Sequence, residues 1–107
     1  MKSITIELYP ESKHEIDMPL TGRVEISEGM LEEVKTLAQV CRQHGLNALQ
    51  RFDFSPEWDW DDTTEMDLLW VTEDSIRFSA RPKHMDLEFE SQDILLRDLE
   101  AQFQAAL

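Results

Sequence analysis

The stretch from Met66 to Glu90 constrains the fold more than any other. Three short segments, Met66 to Thr72, Ser75 to Ala80 and Met85 to Glu90, read as short strands at close spacing, the third alternating strictly between apolar and polar residues. Glu73-Asp74 and the Arg81 to His84 segment supply the turns between them. Connections this short allow only antiparallel pairing, so the stretch reads as a meander with one core face and one polar face. In its third strand Met85, Leu87 and Phe89 face in, opposite Asp86, Glu88 and Glu90. In the second, Ile76, Phe78 and Ala80 face in and Arg77 faces out, and in the first Trp70 joins Met66 and Leu68 on the core side.

Upstream, Lys2 to Leu8 alternates with Ile4, Ile6 and Leu8 on one side. Arg23 to Ile26 repeats the pattern with Val24 and Ile26, and the polar stretch Glu11 to Pro19 makes the pair an open hairpin. Ser27 is an N-cap, and Met30, Leu31, Val34, Leu37, Ala38 and Cys41 recur at three- and four-residue steps, which predicts an amphipathic helix ending near Gln43, at His44-Gly45. Asn47 to Phe54 is a strand with Phe52 and Phe54 inward, and Glu57 to Glu65 a loop without an apolar face. Ser91 caps a last helix with a stripe of Leu95, Leu96, Leu99, Phe103, Ala106 and Leu107. The order β-β-α-β-β-β-β-α predicts a single α+β domain over residues 1–107: an antiparallel sheet of five to six strands with two helices on one face.

Charge narrows the possible partners. The 107 residues hold 10 Lys+Arg against 23 Asp+Glu, a net charge of −13. Nucleic-acid phosphates and anionic membranes are therefore repelled, whereas a protein with a basic surface is attracted. The charge is uneven, with 6 bases and 9 acids in residues 1–54 and 4 bases and 14 acids in residues 55–107. No run of apolar residues is long enough to span a bilayer. The single cysteine excludes an intrachain disulfide, and with Glu7 interrupting any signal-like run the expected compartment is a reducing cytoplasm.

Few residues suggest chemistry. The run Glu57, Asp59, Asp61, Asp62, Glu65 and Asp67 could ligate a hard cation, but it lacks the glycine and distal glutamate of an EF-hand loop. His14, His44 and His84 have no metal-ligand spacing, and Gly22, Gly29 and Gly45 are isolated, so no phosphate loop exists. No carboxylate is placed in an apolar setting that would separate a catalytic pair's pKa values. Cys41 lies on the apolar helix face, where it packs as a small hydrophobe, its alternative being a nucleophile with His44 three residues on. Neither catalytic residue, cofactor nor metal is assigned.

The acidic loop supports a docking role instead. Trp58 and Trp60 among Glu57, Asp59, Asp61 and Asp62 combine contact anchors with electrostatic steering, and Asp86, Glu88 and Glu90 add a carboxylate row. The expected function is a small acidic module, of the inhibitor or immunity-protein kind, that engages a basic partner; a nuclease cleft is one such surface, and mimicry of a DNA duplex is the stronger form. The alternatives are a ligand-binding or enzymatic domain with a pocket between sheet and helices, and a structural homo-oligomer paired through the C-terminal stripe and the exposed hairpin edges.

Overall fold

The computed structural model describes residues 4–11, 21–54 and 56–106. Its elements are β1 (Ile4–Pro10), β2 (Gly22–Ile26), α1 (Glu28–His44), β3 (Ala48–Arg51), β4 (Glu57–Trp58), β5 (Thr64–Val71), β6 (Ser75–Pro82), β7 (Phe89–Glu90), β8 (Ile94–Leu95) and α2 (Leu96–Ala105). The fold is α+β: one antiparallel sheet in the order β3-β5-β6-β7-β1-β2-β4, with β8 pairing β6 beside β7. Among the described residues the sheet has eight strands rather than five or six, because β4 and β8 are two-residue pieces too short to show a period. Most of the connection Glu11 to Pro19, with His14 and Met18, lies outside the described residues, as does Leu107.

The sheet curls. Phe89 on β7 and Trp58 on β4 are separated by two intervening strands, yet their ring centroids stand 5.1 Å apart. A flat sheet with strands about 4.8 Å apart would hold them about 14 Å apart. Leu8, Val24, Ile26, Leu69, Val71, Ile76, Phe78 and Phe89 fill the inside of the curl, and α1 and α2 close it with Leu31, Val34, Ala38, Cys41, Leu99 and Phe103. The helices meet where Lys35 pairs with Glu100 at 2.7 Å. Ser27 caps α1 by accepting from the Met30 amide at 3.3 Å. Gly45 ends it at φ 62°, a left-handed conformation a Cβ disfavours.

Three expectations need correction. On β5, Leu69 and Val71 face the core while Trp70 is 36% exposed on the outer face, with Met66 and Leu68 half-buried there. Leu68-Leu69-Trp70-Val71 is apolar at both parities, so alternation could not choose the face, and a one-residue slip exchanges the two. Met85 to Glu88 is an irregular connection and only Phe89–Glu90 pairs; Met85 and Leu87 still pack against the core, which is what their alternation recorded. Ser91 does not cap α2, which begins at Leu96 without a side-chain cap. Instead the buried Ser91 completes the ladder beside β6: its amide donates to the Phe78 carbonyl at 2.9 Å, and its hydroxyl accepts from the Phe78 amide at 2.9 Å.

Candidate interaction site

The acidic loop is built on an aromatic anchor. Gly22 on β2 pairs with Trp58 on β4, and a Cβ at Gly22 would lie 2.4 Å from the Trp58 ring, so only glycine lets the indole cross the strand. Trp58 is 7% exposed and donates from Nε1 to Thr64 Oγ1 at 3.1 Å. Trp60, half-buried, packs its ring 5.2 Å from Trp58 and 5.6 Å from Phe89. Trp58 is thus a core residue with no face for a partner, and Trp60 offers only its outer part.

Asp62 is the second anchor. Its side chain is 3% exposed and accepts from the Thr63 amide at 2.7 Å, from His84 Nδ1 at 2.9 Å and, more weakly, from the His84 amide at 3.4 Å. Burial pushes its pKa up, but these hydrogen bonds together with one from Trp60 prevail and hold it below the ordinary carboxylate range. The Lys83 amide donates to the Thr63 carbonyl at 2.6 Å, so the loop is clasped to the connection between β6 and β7. Asp62 therefore positions the loop rather than presenting charge.

Glu57, Asp59 and Asp61 are the exposed acids that remain. The Asp59 amide donates to the Thr21 carbonyl at 3.1 Å, and its carboxylate accepts from the Thr21 hydroxyl. Glu57 stands opposite Arg23, which stands opposite Glu7, and a cleft joins Glu57 to Thr5, Arg23 and Glu25. Asp86 is exposed on the clasped connection, while Glu88 and Glu90 are half-buried. Because β7 is two residues long, Asp86, Glu88 and Glu90 do not form the evenly spaced strand row that duplex mimicry requires.

No family model, no curated protein and no solved structure significantly matches the chain. Its site must be read from its own geometry. Among the described residues no group of three or more His, Cys, Asp or Glu could hold a metal ion. Cys41 is fully buried and its thiol points to the Val71 carbonyl at 3.6 Å, while His44 is exposed at the helix end. A cleft of about 620 Å³ between α1 and α2 opens on mixed charge from Lys35, Arg42, Arg97, Glu32 and Glu100, and one of about 430 Å³ lies between the start of α1 and β3, lined by Met30, Glu33, Gln50 and Arg51. No described helix is long and apolar enough to cross a membrane.

Sequence reasoning missed the residues that hold the site: Gly22, Thr21, Thr64 and His84. Gly22 stands just ahead of the alternating run Arg23 to Ile26, at the first position of β2, so its closeness to Trp58 left no trace in the pattern. Nothing at the spacing of Asp62 and His84, 22 residues apart, announced their contact.

Proposed function

We propose that the chain is a protein-binding module that engages a basic partner surface through Glu57, Asp59 and Asp61, with Asp86 on the adjoining connection. One observation supports this reading above others. The loop is fixed from beneath by Trp58, Trp60 and Asp62, yet Glu57, Asp61 and Asp86 form no ion pair among the described residues. Carboxylates carried on a backbone already held in place add little backbone ordering cost on docking, so more of their attraction to Lys and Arg goes into affinity and association rate. A nuclease's phosphate-binding cleft is a surface of the required sign, which makes the inhibitor class the natural form of such a module.

The test is capture from native lysate by the wild-type chain and by Glu57→Lys with Asp61→Lys, at low and high salt. Both positions are exposed, so the double variant should fold with a change of within about 0.5 kcal/mol per site. The proposal expects a basic protein that the wild type retains at low salt and the variant does not. A partner retained equally by both chains contradicts it.

A further inference from the structure

The two ends of the sheet are treated differently. At one end β4 carries Glu57 and leads directly into Asp59 and Asp61, charges of the kind that guard an open edge. At the other end lies β3, and from Leu46 to Arg51 the chain has no acid, although Asp and Glu make up 23 of its 107 residues. Exposed apolar side chains gather here. Leu46 is 47% and Leu49 48% exposed, and Leu49 pairs across to Trp70, over which the Arg77 guanidinium sits 5.5 Å from the ring centroid.

Hydrogen-bond phase shows which groups the edge offers. The Phe52 amide donates to the Asp67 carbonyl at 3.3 Å, which fixes the alternation along the β3–β5 ladder. Residues of the same parity, Gln50 and Ala48, bond towards β5. Leu49 and Arg51 therefore direct their N–H and C=O groups to the open side.

We infer that β3 is the site at which a second copy of this chain adds, antiparallel, about a two-fold axis at Leu49. That register alone sets Leu49 against Leu49 of the second copy. It makes one outer-face row running Arg77, Trp70, Leu49, then Leu49, Trp70 and Arg77 of the partner copy: apolar at the centre, cationic only at its ends. Arg51 falls opposite Asn47 of the second copy, so the two Arg51 residues stand four positions apart, about 13 Å, beyond the screening length of about 8 Å at physiological salt. Charge along the strand favours this edge, since from Leu46 to Arg51 two copies of a chain of net charge −13 place no carboxylate in the paired segment. Of the C-terminal stripe, Leu99 and Phe103 lie in the chain's own core, with Leu95, Leu96 and Ala106 half-buried.

Light scattering behind a sizing column, over a wide concentration range, reads the oligomeric state. The wild type should run as a dimer at high concentration. Leu49→Lys should be monomeric with its thermal midpoint retained, since the Leu49 backbone groups do not bond to β5. Leu49→Cys tests the register: directly opposite Cα atoms in a hydrogen-bonded pair stand about 5.5 Å apart, within the roughly 4.4–6.8 Å that a disulfide spans. It should cross-link under mild oxidation while Gln50→Cys does not, and the buried Cys41 does not compete. A wild type monomeric throughout, a dimer that survives Leu49→Lys, or cross-linking at position 50 instead of 49 would each overturn the inference.

Discussion

Gly22 and Trp58 show how one missing methyl group organises a site. The indole crosses β2 where there is no side chain, and the loop beyond it inherits its position. Gly22→Ala should therefore destabilise by about 1–3 kcal/mol, the usual cost of overpacking, read as a lower urea midpoint. A neutral result would mean that the loop does not depend on the indole's seat. Asp67 carries a different stress. Its half-buried carboxyl is held above the ordinary range by burial first and then by the neighbouring Asp53 carboxylate. A carboxyl whose folded pKa is raised costs stability as pH rises from the unfolded value through the folded one. Asp67→Asn should thus raise the thermal midpoint at neutral pH, and the gain should vanish below the ordinary carboxylate range. A gain independent of pH would assign the effect to something other than ionisation. At this scale the sequence was legible where a residue's neighbours in the chain determine its setting, as at Cys41 on α1. It was silent where the setting comes from a distant strand, as for Asp62 and His84.

The loop from Glu57 to Thr63 behaves as a single clasped element. Removing the Asp62 carboxylate with Asp62→Ala should free it, accelerating amide exchange at Thr63 and Lys83 on the order of tenfold, the effect of losing a hydrogen bond to a charged group. Exchange in β1 and β6 should not change; acceleration there too would mean that the clasp supports the whole fold. Because hydrogen bonding lowers the Asp62 pKa, its stabilisation is complete above the ordinary carboxylate range and is lost as pH falls through its depressed folded value. The elements themselves were legible in proportion to the contrast of their faces. β1, β2 and α1 each gather most of their apolar residues on one side, with Tyr9 and Val40 the exposed exceptions, and they fold within a residue or two of where the pattern places them. β5 is apolar on both faces, and its inward side was settled by pairing with β3 and β6 instead. β4 and β8 are defined entirely by tertiary pairing, to β2 and β6, and leave no periodic trace.

Across the whole molecule, the charge asymmetry that the sequence displays becomes a polarity of the sheet. In the strand order one edge, β4, leads into the outward carboxylates of the loop, and the other, β3, is acid-free and carries the exposed Leu49. The segregation of acids into residues 55–107 was visible in the chain; which of them are exposed was not, because Asp62 looks like its neighbours until the fold buries it. The central claim is that the loop's carboxylates steer a basic partner into contact. Its most direct test is the association rate of the wild-type chain with its captured partner, by stopped flow, as ionic strength is raised. Electrostatic steering predicts a steep fall in the association rate, by tenfold or more as the charges are screened, with the dissociation rate changing far less. An association rate that stays level with salt would contradict the account.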